Sequence, residues 1–320
     1  MPGPAPFAAP GPDAAAQRTG TLAGVVAYSL WGVFPLLFHQ LKSVGAGEIL
    51  AHRIVWAFVV VMVVLAVRRD RGWLAGVRAT PGALPRLAAA ALLIAANWLT
   101  YIWAVNNGHV VEAALGYYVN PLLTVALGVV VLGERLRRPQ LAALGLGAVA
   151  VAVLTAAYGR VPWVALVLAC TFAGYSFLKK SVPVGAVTSL ATETLVLLPV
   201  AAAALLVLQA RGDAALGHGG GGRDLLLLSL GVVTAVPLIL FGVAARRIPL
   251  SLLGLLQYLT PTLQLVCGVA VFGEPLPPAR LAGFVLVWAA LAVLAWDAIG
   301  TARRRLAVPE SLPPPVAEAA

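Results

Sequence analysis

Three ionisable side chains share one face of a long apolar segment near the start of the chain. Glu48, His52 and Arg53 lie within residues 47–67, which are otherwise almost entirely apolar. Spacings of four and five residues place them on one side of a helix. A guanidinium stays protonated in proteins, so a buried Arg53 needs an anion beside it. That anion is either a carboxylate of the protein, with Glu48 and Glu112 as candidates, or an anionic group of a substrate.

A single carboxyl group, Glu193, lies in the middle of another apolar segment. Residues 185–208 contain no basic side chain that could pair with it. Desolvation disfavours the charged form of a carboxyl group, so a neutral Glu193 is expected. A buried carboxyl that exchanges a proton is what coupling to a proton gradient requires, and Glu193 is the predicted proton-coupling residue. The alternative is a neutral carboxyl that hydrogen-bonds to a neighbouring helix.

Two prolines occupy the centres of two further apolar segments. Pro121 and Pro261 each free the backbone carbonyl four residues earlier, on Tyr117 and Gln257. Free carbonyls at this depth require a cavity, water or a partner side chain. The prolines therefore predict a polar cavity, although they could simply bend the helices. The predicted substrate-binding residues are Arg53, His52, Asn97, Tyr101, Tyr117, Asn120, Gln257, Tyr258 and Gln264.

The composition of the chain excludes an ordinary water-soluble fold. Its 320 residues are 61% hydrophobic and 11% charged, against roughly 45–50% apolar and about 25% charged residues in average soluble domains. A membrane-spanning helix needs about 20 apolar residues. Ten segments meet this requirement: 20–39, 47–67, 87–106, 110–131, 141–158, 163–179, 185–208, 224–244, 250–272 and 281–299. The sequence predicts an all-α membrane protein with ten transmembrane helices in one bundle.

Motifs for other chemistry are missing from the sequence. The net charge is +10, but the basic residues lie in short connections between apolar segments rather than in a basic cluster. Two cysteines without paired spacing do not indicate a disulfide framework or a zinc site. No HExxH, P-loop GKS or GKT, or CxxC motif occurs. We therefore predict no nucleic-acid partner, no cofactor, no metal site and no catalytic residue.

Basic residues are distributed unequally between alternate connections. The set that includes 68–86 and both tails contains 16 Lys and Arg residues, whereas the opposite set contains 5. Because basic connections remain in the cytoplasm, both termini are predicted to be cytoplasmic. Residues 1–19 and 301–320 are predicted to be disordered tails.

The second half of the chain repeats the first at an offset of 140 residues. ALGYYVNPLLTVALGVVVLGERL, from residue 114, aligns with GLLQYLTPTLQLVCGVAVFGEPL, from residue 254. Tyr118 and Pro121 match Tyr258 and Pro261, and a Gly-Glu pair at 133–134 matches one at 273–274. The predicted repeats are residues 20–158 and 159–300. Since each repeat has five helices, the second is inverted relative to the first, an arrangement typical of secondary transporters.

Four segments carry a resemblance to a known family. GVVAYSLWGVFP (24–35), EILAHRIVW (48–56), YYVNPL (117–122) and QYLTPT (257–262) resemble the RarD branch of the EamA-type drug/metabolite transporter superfamily. The resemblance implies an inner-membrane carrier with a small-molecule substrate and the lipid bilayer as its partners. It leaves the substrate, the coupling ion, the direction of transport and a homodimer open.

The predicted function is secondary active transport of a small organic solute by alternating access. One alternative is a non-transporting membrane subunit or sensor. A weaker alternative is an intramembrane enzyme with Glu193 or His52 as a general base.

Overall fold

The computed structural model of the chain describes residues 14–132, 137–218, 220–245, 247–248, 252–253 and 256–307. The regular structure of these residues is helical, without a β-strand. Its helices are α1 (Ala14–Gly32), α2 (Phe34–Gln40), α3 (Ala46–Val67), α4 (Trp73–Ala79), α5 (Ala83–Asn106), α6 (Val110–Leu132), α7 (Arg138–Tyr158), α8 (Trp163–Lys180), α9 (Ala186–Arg211), α10 (Gly221–Ala245), α11 (Leu259–Val266) and α12 (Pro278–Ala307). A π-helical turn, Cys267–Val271, continues α11.

The apolar segments predicted from the sequence are helical in the structure. Among the residues that the structure describes, eight helical segments are long and apolar enough to cross a membrane. Two further apolar helices, Trp163–Lys179 and Leu259–Val271, are shorter and coincide with the sixth and ninth predicted spans. The all-α membrane class is therefore confirmed, whereas ten crossings arranged as two inverted repeats stay a prediction.

The first predicted span consists of two helices joined by a break at Val33. Pro35 lies in the first turn of α2, where the missing amide hydrogen costs no helical hydrogen bond. Just before the break, Gly32 allows α11 to approach closely, because a Cβ at this position would lie 2.7 Å from the Cβ of Leu263. The break and the glycine thus bring α1 and α11 together beside the cavity described below.

Part of each tail that the sequence predicts to be disordered is helical in the structure. α1 begins at Ala14, so residues 14–19 are helical and not part of a disordered tail. The Ala-Ala-Ala run that opens this helix has high helix propensity, which explains the difference. At the other end, α12 continues through residues 301–307. The remainder of both tails, 1–13 and 308–320, lies outside the described residues.

Contacts between helices follow a two-fold pattern. Helix α1 packs on α10, and their counterparts in the other half, α8 and α5, pack on each other. In the same way α6 packs on α8, and their counterparts α11 and α1 pack on each other. Likewise, α3 packs on α10 as α9 packs on α5. Three helices of the first half, α3, α6 and α7, each pack on their own counterparts, α9, α11 and α12. If each helix is replaced by its counterpart in the other predicted half, each of these contacts becomes another contact of the same set.

Candidate substrate cavity

A cavity of about 580 Å³ lies among helices of both predicted halves. Residues of α1, α2, α3, α5 and α6 line it from the first half, and residues of α8 to α11 line it from the second. Along α3 it extends from Arg53 to Arg68, about 22 Å at a rise of 1.5 Å per residue. Its volume is within the range of pockets that bind small organic molecules.

The two ends of this cavity differ. At one end it reaches exposed residues of the connections after α3 and before α9, including Arg68, Asp70 and Gly185. We call this the open end. At the other, the closed end, α2, the start of α6 and residues 267–274 pack together. There the buried side chains of Phe38, Leu41 and Ile49 belong to a continuous apolar cluster.

Arg53 is buried in the wall of the cavity and is held by a hydroxyl group and an aromatic ring. Its side chain Nε donates to Thr234 Oγ1 at 3.0 Å. The guanidinium carbon lies 4.0 Å from the centre of the Trp98 ring and 5.8 Å from those of Phe34 and Phe38. No carboxylate among the described residues lies within 4.0 Å of this guanidinium.

The two carboxylates that the sequence offered as partners for Arg53 are engaged elsewhere. Glu48 Oε1 accepts a hydrogen bond from the Ala215 amide at 2.6 Å and lies 3.8 Å from His52 Nε2. Glu112 Oε2 lies 2.6 Å from Nη2 of Arg160, and its Oε1 accepts from the Val164 amide at 3.1 Å. A permanent pair between Arg53 and either carboxylate is therefore not formed.

Six of the nine predicted substrate-binding residues line the cavity: Arg53, Asn97, Tyr101, Tyr117, Gln257 and Gln264. Three do not. His52 accepts a hydrogen bond from Trp56 Nε1 at 3.3 Å, and Asn120 is buried outside the cavity. Tyr258 lines a separate groove of about 370 Å³ between α6, α11 and α12.

Helix rotation explains why His52 and Tyr258 lie outside the cavity lining. Neighbouring residues of a helix point about 100° apart. Since Arg53 faces the cavity, the adjacent His52 faces away from it. Gln257 and Tyr258 are likewise adjacent, and only Gln257 contributes to the lining.

The side chain of Asn97 connects three helices. Its Nδ2 donates to the Leu168 carbonyl at 2.9 Å and to Thr171 Oγ1 at 3.0 Å. Its Oδ1 accepts from the Tyr117 hydroxyl at 3.0 Å. Asn97 therefore joins α5 to α6 and α8 by hydrogen bonds, and it orients Tyr117 beside the cavity. The hydroxyl of Tyr101 is buried without a hydrogen-bond partner in the described part of the chain.

The prolines affect the two helices differently. α6 continues through Pro121. By contrast, Pro261 lies in the first turn of α11 and lines the cavity. Beside it, Thr260 Oγ1 donates to the Tyr28 carbonyl at 2.8 Å and Gln264 Nε2 donates to the Trp31 carbonyl at 3.4 Å. These bonds join α11 to α1 across the two predicted halves.

Glu193 is buried, but it is not without a basic partner. Its Oε1 lies 3.0 Å from Nζ of Lys179 and accepts from Ser189 Oγ at 2.7 Å. Its Oε2 accepts from the Tyr175 hydroxyl at 3.2 Å. The expected neutral carboxyl rested on the absence of basic residues in the same segment, whereas Lys179 comes from α8. Lys179 and Tyr175 line the cavity, and Glu193 does not.

Several lining residues were missed in the sequence. Trp98 is next to Asn97 and three residues before Tyr101, and this position was its only signal. An aromatic residue in an apolar segment does not by itself indicate a binding site. Thr234 is the hydroxyl residue nearest the middle of α10. Lys179 is the last residue of the predicted span 163–179, where a basic residue is common and indicates no site. Its role depends on a contact between helices, which spacing along the chain does not show.

A carboxylate joins the two predicted halves at the closed end. The side chain of Glu274 accepts hydrogen bonds from the Val110 and Val111 amides at 2.6 and 2.8 Å, at the start of α6. Beside this contact, the rings of His39 and Phe272 stack with their centres 4.5 Å apart. The corresponding Gly-Glu pair of the first half, at 133–134, lies outside the described residues.

Comparisons with known proteins identify the family. Residues 18–156 match the EamA-like transporter family. The chain is 52% identical to Protein RarD of Streptomyces exfoliatus over 300 residues, covering 94% of this chain and 95% of the relative. It is 44% identical to an uncharacterized transporter of Pseudomonas aeruginosa, covering 90% and 96%.

A solved crystal structure shares the fold with a TM-score of 0.56 and 22% identity, covering 87% of this chain and 97% of that one. The chain belongs to the RarD branch of the EamA-type drug/metabolite transporter superfamily and is a multi-pass membrane transporter.

Proposed function

We propose that the protein is a secondary active transporter that moves a small organic solute with an anionic group by alternating access. One observation carries this proposal: Arg53 faces a cavity of about 580 Å³ and has no carboxylate partner among the described residues. Burying a charge without an opposite charge is costly. A substrate carboxylate beside Arg53 would supply the missing charge.

The surroundings of Arg53 suit a planar anion. Thr234 accepts a hydrogen bond from Nε only, so the two terminal nitrogens of Arg53 can donate to a ligand. A guanidinium can donate two parallel hydrogen bonds to one carboxylate, which a lysine ammonium cannot reproduce. The ring of Trp98, 4.0 Å from the guanidinium carbon, also holds the group in position.

Alternating access is supported by the different ends of the cavity and by the pairing of helices. An inverted repeat lets two exchanged conformations of similar halves expose one site to each side in turn. In this structure the cavity reaches exposed connections at the open end, whereas the buried side chains of Phe38, Leu41 and Ile49 pack together at the closed end. The helix contacts of one predicted half have counterparts in the other half, as an inverted repeat requires. Residues 20–158 and 159–300 are the proposed repeats.

The open end is proposed to face the cytoplasm. It contains the connection 68–86, which belongs to the set with 16 basic residues. A cysteine at Asp70 is then expected to react with thiol reagents from the cytoplasmic side only, and a cysteine at Asp213 from the outside only. The opposite pattern would contradict both the orientation and the cytoplasmic termini.

Glu193 is the proposed proton-coupling residue. Its depth in α9 and its position behind the cavity-lining Lys179 support this role. The sequence contains no P-loop, which favours a gradient over ATP as the source of energy.

Uptake into proteoliposomes with an imposed pH gradient tests the proposal. Small anionic, zwitterionic and aromatic solutes are compared for the wild type, Arg53→Lys and the matched control Arg78→Lys, which changes an exposed arginine on α4. Arg53→Lys is expected to raise the apparent KM for an anionic solute at least several-fold at normal protein levels, while Arg78→Lys leaves it unchanged. Normal uptake by Arg53→Lys would assign the arginine a structural role. Chemical conversion of a solute without its movement would instead indicate an enzyme.

A further inference from the structure

The ion pair of Lys179 and Glu193 lies in the cavity wall, nearer the open end than Arg53. Leu190, one turn before Glu193, packs with Val61 of α3. Val61 lies eight residues from Arg53, about 12 Å along the helix axis toward the open end. Lys179 is the member of the pair that lines the cavity. A solute that enters from the open end can therefore reach the ammonium group before it reaches Arg53.

The partners of Glu193 fit both the charged and the neutral carboxyl group. Apart from Lys179, they are the hydroxyls of Ser189 and Tyr175 at 2.7 and 3.2 Å. A hydroxyl can donate or accept a hydrogen bond, so either can reverse its role when the carboxyl gains a proton. Lys179 cannot reverse, because an ammonium group only donates. Protonation of Glu193 thus removes the attraction for Lys179 and leaves the other contacts usable.

We propose that Lys179 is a second anion-binding residue, which a proton taken up by Glu193 releases toward the cavity. This inference rests on the proposed transport function. Hydronium at the open end transfers a proton to Glu193: one O–H bond of hydronium breaks, one O–H bond forms on the carboxyl group, and water remains. The ammonium then pairs with a carboxylate of the solute, and no other covalent bond changes. The lysine has one negative partner before and after the exchange, so neither state leaves its charge unbalanced.

Within the described part of the chain, Lys179 and Tyr175 are the titratable groups that contact Glu193. The other helices that pack on α9 place no charged group within ion-pair distance of it. The side chain of Lys179 is 27% exposed and that of Glu193 only 2%. The lysine can therefore turn toward solvent or a solute, while the acid changes state mainly by gaining a proton.

Calorimetry on the purified full chain in detergent tests this exchange with benzoate, a small aromatic carboxylate, and with neutral benzyl alcohol as the comparison. Binding heats measured in two buffers of different ionisation enthalpy report the protons taken up per bound benzoate. We expect the wild type to take up close to one proton. Glu193→Gln, which mimics the neutral acid, is expected to bind benzoate without proton uptake.

Lys179→Met is expected to weaken benzoate binding at least several-fold and to abolish proton uptake. The matched control Lys42→Met removes an exposed lysine at the closed end and is expected to behave like the wild type. If Glu193→Gln does not fold, Lys179→Met still tests whether Lys179 binds the anion, because this substitution removes only the cation.

The outcomes separate this inference from the function on which it rests. Absence of benzoate binding by the wild type would contradict the proposed anionic substrate. Binding without proton uptake, or uptake that persists in Glu193→Gln, would overturn the role of Lys179 and leave that of Arg53 intact. Arg53→Lys is expected to weaken binding but to retain the proton taken up per bound anion.

Discussion

The closed and open ends of the cavity both carry charged residues, but these residues contact different partners. At the closed end, Glu48, Glu112 and Glu274 accept hydrogen bonds from backbone amides. Each of these contacts joins the first predicted half to the second. At the open end, Arg68 and Lys179 line the cavity itself. The three carboxylates therefore join the halves at the closed end, whereas Arg68 and Lys179 are accessible to a solute at the open end.

This difference indicates how closure can be stable and still reversible. Carboxylates are favoured at the first turn of a helix, where amide groups lack helical partners. Hydrogen bonds that involve a charged group contribute about 1.5–3 kcal/mol each. A few such bonds are enough to favour one state of a transporter, and water can replace them when the end opens.

The largest effect is expected at the open end, from Glu193→Gln. Gln resembles the neutral acid but cannot release a proton, so uptake driven by a pH gradient should be abolished. Exchange of labelled for unlabelled solute across the membrane should continue, since Lys179 and Arg53 remain. Transport assays in proteoliposomes measure both quantities, with Asp213→Asn as the control for an exposed acid. Unchanged pH-driven uptake between pH 5 and 8 would return Glu193 to a structural role.

The second largest effect is expected at the closed end, from Glu274→Ala. Loss of the two bonds to Val110 and Val111 should favour opening by about 3 kcal/mol, the lower end of that range for two bonds, or about 150-fold. The native Cys267, which is buried in the π-helical turn at this end, reports the change. Its rate of reaction with a charged methanethiosulfonate is measured in a Cys170→Ser background, because Cys170 is exposed.

Asp213→Ala provides the control for this experiment, because it removes an exposed carboxylate from the connection between α9 and α10 at the same end. Its labelling rate should equal that of the background protein. An equal rate in Glu274→Ala would show that the carboxylate does not hold this end closed.

Sequence reasoning succeeded where one residue or one segment carried the signal. Apolar length located the helices, and the cost of burying Arg53, together with the position of Gln257, identified parts of the cavity wall. It failed where the answer depended on rotation or on contacts between helices. His52 and Tyr258 were included because spacing along the chain does not reveal which of two adjacent residues faces inward. The partner of Glu193 was missed because Lys179 lies on another helix.

A smaller effect is expected between the two ends, from Thr234→Val. Valine keeps the shape of threonine but removes the hydroxyl that accepts from Arg53 Nε at 3.0 Å. The ring of Trp98 should still hold the guanidinium, so we expect a loss of about 1 kcal/mol, or about a fivefold higher apparent KM for an anionic solute. Thr155→Val on α7, where the hydroxyl bonds to its own helix, is the control. A KM that rises equally for neutral solutes would indicate general disturbance of the cavity.

The smallest effect is expected from Gly268→Ala at the closed end. A Cβ at this position would lie 2.8 Å from Cγ2 of Val111 and 3.2 Å from its amide nitrogen. The Glu274 amide also donates to the Gly268 carbonyl at 2.9 Å. A methyl group should therefore push the π-helical turn away from α6 and weaken the contact that Glu274 makes there.

Because neighbouring atoms can move by a few tenths of an ångström, the expected rise in Cys267 labelling is only about two- to fivefold, or roughly 0.4–1 kcal/mol. Gly145→Ala on α7 is the matched control, since a Cβ there meets no atom within 4 Å. Slower labelling in Gly268→Ala would mean that the methyl group fills space and favours closure. In that case the carboxylate of Glu274, rather than close approach at glycine, would be the feature that keeps the closed end reversible.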